Sequence, residues 1–161
     1  MFGIGIYHPK KEENVGTLFR SAYCLGADFI FTIGRRYKRQ ASDTCNTPAH
    51  IPLYEFETYD RFNRWYDCYR EEIPASLIGI ECPEDTFKYT ACSLYDFNHP
   101  KDAIYLLGSE DHGLPERVLY DMDNVVYTPM SRGKCLNVSA TGSIVMYDRI
   151  AKIRNPSLEH I

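Results

Sequence analysis

Three short stretches of this 161-residue chain combine polar side chains in patterns that could do chemistry. The first, NVGTLFR, covers residues 14–20. In a helix Arg20 would point away from an apolar stripe of Val15, Leu18, Phe19 and Ala22. Gly16 lies one turn before Arg20. A glycine inside a helix costs roughly 1 kcal/mol relative to alanine, so it signals a close approach. On periodicity alone Arg20 reads as an ordinary surface cation, but an arginine above a Gly/Thr platform could clamp a phosphate with two hydrogen bonds. The second stretch, LLGSEDHGLP, covers residues 106–115 and sets Gly108 and Gly113 around Glu110. It follows the most apolar strand pattern in the chain, and in open α/β sheets ligands sit at the carboxyl ends of strands. Its spacing is neither a dinucleotide fingerprint nor a P-loop. Glu110, Asp111 and His112 are metal-ligating types, but no second ligand cluster accompanies them and no metal is expected. The third, PMSRGKCLNVSA, covers residues 129–140. Asn137 is placed to cap a helix. Cys135 as a nucleophile would need a nearby base. Lys134 could lower its pKa, yet no histidine partner is signalled, so a nucleophilic role is not expected.

The elements that must position these stretches follow from periodicity and punctuation. FGIGIY reads as a first strand, and residues 14–25 as a helix with Asn14 as N-cap and Gly26 as its stop. Residues 29–34 read as a second strand and 35–50 as a polar loop. IPLYEF reads as a weak edge strand because of Pro52. Residues 59–72 read as an amphipathic helix and ASLIGIE as a strand, with 82–102 irregular. AIYLLG reads as a buried parallel strand, LPERVLYDM as a helix with Pro115 in its first turn, and NVVYTPM as a last strand. A final helix runs from 137 to about 154. Lys152 and Arg154 suit its C-terminal dipole, and Pro156 ends it. Alternation of strands and helices predicts an α/β fold, a parallel sheet flanked by helices. Neither linker nor repeat interrupts it, so a single domain over 1–161 is expected.

Composition narrows the function classes. The chain is 44% hydrophobic and 25% charged, as soluble globular proteins are. No apolar run approaches the ~18 residues a membrane span needs. The first residues lack a signal-peptide layout, which favours a cytoplasmic protein. A net charge of −4 counts mildly against a partner held by bulk charge, such as nucleic acid. GRRYKR, residues 34–39, is a local exception. It reads either as a solvated loop or as a phosphate-contacting patch with Tyr37 stacking on a base. The six cysteines form no CxxC pair, and without a secretory signal they are expected to be reduced thiols, mostly small apolar fillers.

Taken together, the three stretches resemble the SpoU/TrmH-type RNA 2′-O-methyltransferases of the SPOUT superfamily. Asn14, Gly16 and Arg20 match the first motif of that family; Gly108, Glu110, Gly113 and Leu114 match the second; TPM…CLNVS…YD matches the third. Order and spacing agree from residue 14 to residue 148. The resemblance implies a C-terminal trefoil knot, a homodimer whose site is completed across the interface, and S-adenosylmethionine as cofactor. By position, Ile80, Gly108, Thr128, Met130, Cys135 and Leu136 would contact the cofactor. Arg20 would sit by the target ribose; being cationic, it suits anchoring a phosphate and stabilising a developing alkoxide. Asn14, Glu110 and Asn137 would shape the pocket and the contacts between subunits. Two positions depart from the family pattern. Thr128 stands where Ile is usual, and Cys135 stands where the family has Ser, a better hydrogen-bond donor than a thiol. The chain resembles the minimal, catalytic-domain-only members, known for modifying the tRNA wobble position, so tRNA is expected before rRNA. The alternative is a non-catalytic RNA- or cofactor-binding module of the same fold.

Overall fold

A computed structural model describes residues 1–82, 90–133 and 135–154. In chain order the elements are β1 (Phe2–Tyr7), α1 (Glu12–Cys24), β2 (Phe29–Ile33), a 3-10 turn (Thr47–Ala49), β3 (Leu53–Phe56), α2 (Tyr59–Glu72), β4 (Ser76–Ile80), β5 (Ala91–Ser93), β6 (Ala103–Leu107), α3 (Glu116–Leu119), β7 (Asn124–Tyr127) and α4 (Val138–Arg154). The seven strands form one sheet in the order β3-β2-β1-β6-β4-β7-β5. Every pairing is parallel. The expected α/β architecture is therefore present, and IPLYEF does form an edge.

Because successive strand residues face opposite ways, the apolar strands feed two cores. On one face Ile4, Ile6, Tyr105 and Leu107 pack with Leu18 and Phe19 of α1 and with Val145 and Met146 of α4. On the other, Phe31, Ile104 and Leu106 pack with Phe62 and Tyr66 of α2 and with Val118 and Leu119 of α3. The Phe62 ring stacks on Phe31 at 5.1 Å. Truncating an aromatic side chain so buried costs roughly 3–5 kcal/mol. No helix among the described residues is long and apolar enough to cross a membrane.

Several expectations needed correction. Asn14 is not the N-cap of α1, which begins at Glu12 with Lys11 as a cap that makes no side-chain bond. The predicted helix LPERVLYDM shrinks to Glu116–Leu119. Its continuation is diverted because Asp123 donates its N–H to Leu77 O, while its carboxylate accepts from Leu77 N–H and Tyr66 Oη, which pulls the chain into β7. Within the segment expected to be irregular, Ala91–Ser93 adds β5 beside β7. Lys152 does not merely complement a helix dipole. Its ammonium donates to the carbonyls of Leu94, Tyr95 and Phe97 and fastens the loop after β5 to α4. Residues 83–89, Lys134 and the stop at Pro156 lie outside the described residues.

Candidate active site

The carboxyl ends of β4, β6 and β7 open onto a cleft of about 1120 Å³. Asn14, Ile80, Gly108, Glu110, Thr128, Met130, Cys135, Leu136 and Asn137 all line it, and Arg20 does not. Three polar groups tie the three motif segments together. Glu110 Oε1 accepts from the Asn14 amide at 2.9 Å and from Lys11 N–H at 3.1 Å, and Oε2 accepts from Lys10 N–H at 2.9 Å. The Asn14 Oδ1 accepts from the Asn137 amide at 3.0 Å. Asn137 Oδ1 in turn accepts from Ser139 N–H at 2.9 Å, so it caps α4 as expected. Glu110 ties down Lys10 and Lys11, the two residues that lead into α1, and sets a carboxylate at the positive end of that helix. Asn14 reaches across to Asn137 at the start of α4. Partial burial works against charge on Glu110, but the bonds from Lys10, Asn14 and Lys11 outweigh it and hold the carboxyl below its ordinary value.

Gly108 forms the cradle at the end of β6. A Cβ there would lie 2.4 Å from the Gly113 carbonyl carbon and 2.6 Å from Leu114 N, so the two arms of the turn pack backbone to backbone. Glu81 braces the same turn, accepting from Leu114 N–H and from Cys82 N–H. Asp111 is occupied by an ion pair with Lys10. His112 lies at the rim, its N–H donating to Ser109 Oγ at 3.3 Å.

Arg20 lies on the exposed face of α1. Six residues separate it from Asn14, and that separation is about 9 Å of helix rise. Gly16 does mark a close approach, but not to a ligand. A Cβ there would sit 2.4 Å from Ser42 Oγ and 2.7 Å from Gln40 Cβ, so the loop after β2 already covers this face. Nor are all the cysteines reduced fillers. Cys82 and Cys135 are joined by a disulfide with a Cα–Cα separation of 6.2 Å, a bond that staples the loop after β4 to the loop after β7. The side chain in the serine position is then no donor at all. Cys24 and Cys68 are free and exposed rather than core fillers.

The model for the SpoU rRNA Methylase family matches residues 1–147. The chain belongs to that family. It is 26% identical over 154 residues to the tRNA (cytidine(34)-2′-O)-methyltransferase of Ancylobacter novellus, a match that covers 89% of this chain and 87% of the relative. Its fold resembles the crystal structure of the SpoU methyltransferase AviRb from Streptomyces viridochromogenes, with a TM-score of 0.84 at 20% identity. That match covers 97% of this chain but only 61% of AviRb. The AviRb structure in complex with AdoMet gives a TM-score of 0.80 at 21% identity, covering 94% of this chain and 57% of that one.

Within this SpoU-family chain, the cleft residues fit the expected cofactor. The volume suits a ligand of this size. Ile80, Leu107, Met130 and Leu136 offer apolar walls. The Thr128 Oγ1 is buried without a hydrogen-bond partner among the described residues, so a polar atom waits on the cleft wall. Sequence reasoning missed Lys11, Glu81 and Cys82, which also line the cleft. Glu81 was findable, since it is the polar residue that ends the strand ASLIGIE at its carboxyl end. The partner of Cys135 was not, because 53 residues separate it from Cys82.

Proposed function

We propose that this chain transfers a methyl group from S-adenosylmethionine to a ribose 2′-hydroxyl in RNA, with tRNA as its substrate. The observation that carries this reading is the convergence of all three motif segments on one cleft, knit by the Asn14–Glu110–Asn137 hydrogen bonds. S-adenosylmethionine, when bound, supplies an electrophilic methyl group. Backbone groups around Gly108, Met130 and Leu136 would hold the cofactor's polar groups, Thr128 Oγ1 would gain a partner there, and Ile80 would offer an apolar contact. Glu110 and Asn137 keep the two loops fixed on α1, so this chain's own groups would hold cofactor and nucleophile in one orientation, and positioning of that kind supplies much of the rate.

Arg20 anchors a phosphate and stabilises charge developing on the 2′-oxygen. Its place outside its own chain's cleft supports a homodimer in which Arg20 serves the partner's cleft. The outward face of α4 supports the same reading, with Ile144 39% and Tyr147 67% exposed. The insertion of β6 between β1 and β4, and the return of α4 onto α1, support the knotted path over one domain. An RNA substrate accords with the cytoplasmic setting expected from the sequence.

The test is radiolabelled methyl transfer to total RNA from a strain lacking this protein, with the modified nucleotide mapped. Wild type should label tRNA at one ribose. Arg20→Ala should lose at least about a hundredfold in rate. Cofactor binding without transfer to any RNA would favour a binding module, the reading to which the blocked Cys135 lends some weight. No cofactor binding would end both.

A further inference from the structure

The loop that follows β2 holds an unusual grouping. Arg36, Lys38 and Arg39 are exposed within four residues, and none has an ion pair among the described residues. The chain as a whole carries −4, so this is a local inversion of sign. The loop beneath the three cations is firmly held. Arg35 donates to Pro9 O and Lys10 O and pairs with Glu12 at 2.8 Å. Gln40 donates to the other oxygen of Glu12, and Ser42 Oγ donates to Glu13 O. Tyr37 N–H donates to Glu55.

Tyr37 is not placed to stack on a base, which was one of the two readings of GRRYKR. Its ring packs on Phe19 at 4.9 Å between centroids, and its hydroxyl donates to Asp43 at 3.1 Å. The tyrosine is the peg that fixes the loop, and the carboxylates of Glu12, Asp43 and Glu55 are engaged in holding it. The three cations are what is left facing outward.

The segment on which this loop docks is the rim of the cleft. Arg36 and Lys38 sit beside Pro9 and Glu12, while Lys10 and Lys11 N–H groups bond Glu110, and Lys11 lines the cleft. A strand whose ribose entered the cleft would carry its neighbouring phosphates over this rim. We propose that Arg36, Lys38 and Arg39 form a docking site for the sugar-phosphate backbone of the RNA substrate, gripping it by charge and not by base identity. This rests on the methyltransferase reading above. It gives a protein of net negative charge a local basic surface on which to hold a polyanion.

The test is the triple variant R36Q/K38Q/R39Q. All three side chains are exposed, so folding should survive, and an unchanged melting temperature verifies it. Affinity for bulk unmodified tRNA is measured across a KCl series, alongside the dissociation constant for S-adenosylmethionine. The slope of log affinity against log salt should fall by about 2, at ~0.7 per single-stranded phosphate released. Affinity near physiological salt should drop about tenfold or more, with cofactor affinity unchanged. An unchanged slope and affinity in the folded variant would overturn the docking site. The two readings separate cleanly. If wild type methylates tRNA and the triple variant does so at the same KM, the docking site falls and the activity stands. If wild type binds tRNA with a slope that the variant lowers yet transfers no methyl group, the docking site stands and the activity falls.

Discussion

Against the opposing effect of partial burial, hydrogen bonds favour the charged form of Glu110. Its carboxylate ties down the residues that lead into α1 and holds Asn14. Glu110→Gln keeps the shape but loses charge-assisted acceptors, which should cost about 1–2 kcal/mol once surface exposure is discounted. The pH dependence has a definite sign. A carboxyl with a depressed folded pKa contributes stability that is present above its unfolded value near ~4.3 and lost as pH falls through the folded value. The stability gap between wild type and Glu110→Gln should therefore be full at pH 7 and close below about pH 4; urea melts at both pH values would show it, and a gap independent of pH would refute it. At this scale the sequence was informative about membership and less so about roles. Asn14, Glu110 and Asn137 were legible as site residues because their types and spacing matched a pattern. Asn14 was misread as a cap because a local rule cannot see an acid 96 residues away that engages its side-chain amide.

Along α4 the decisive feature is a buried polar chain. Arg149, which can only donate, reaches Tyr105 Oη at 3.2 Å; Tyr105 Oη lies 2.6 Å from His99 Nδ1, and His99 Nε2 lies 2.9 Å from Asp148, which can only accept. The proton of neutral His99 therefore sits on Nε2, and Nδ1 accepts from Tyr105. Burial lowers the His99 pKa against the opposing pull of Asp148. Such a histidine favours the fold while neutral. Its contribution is complete above the unfolded value near ~6.5 and declines as pH falls toward the folded value. Wild type should lose stability between pH 7 and pH 5 more steeply than His99→Gln, which keeps an acceptor and a donor without titrating; matching pH profiles would rule the mechanism out. No periodicity reveals this chain, since it joins a loop histidine to two other elements. The strands and α2 were legible because burial on both faces or on one stripe writes itself into the pattern. The short β5 and the truncated α3 were not, because each is set by a few long-range bonds.

For the molecule as a whole, the proposed dimer makes a prediction that a monomer cannot meet. Arg20→Ala and Asn137→Ala chains, each inactive alone, should regain about a quarter of wild-type activity when mixed at random, since one cleft in each mixed pair then has both groups. A mixture as inactive as its parts would mean that Arg20 serves its own chain. The fold class and the family were visible in the sequence at this scale. The link between Cys82 and Cys135 was not, and it alters what kind of object the chain is. With the bond closed, the polypeptide contains a covalent ring holding β5, β6, α3 and β7, closed over a sequence separation of 53. A ring of that size removes loop entropy from the unfolded chain worth about 4 kcal/mol. With the bond open, the polypeptide is linear and that contribution is gone. One sequence thus has two melting temperatures, one for each electron count, and the thiol–disulfide poise of the surroundings selects between them.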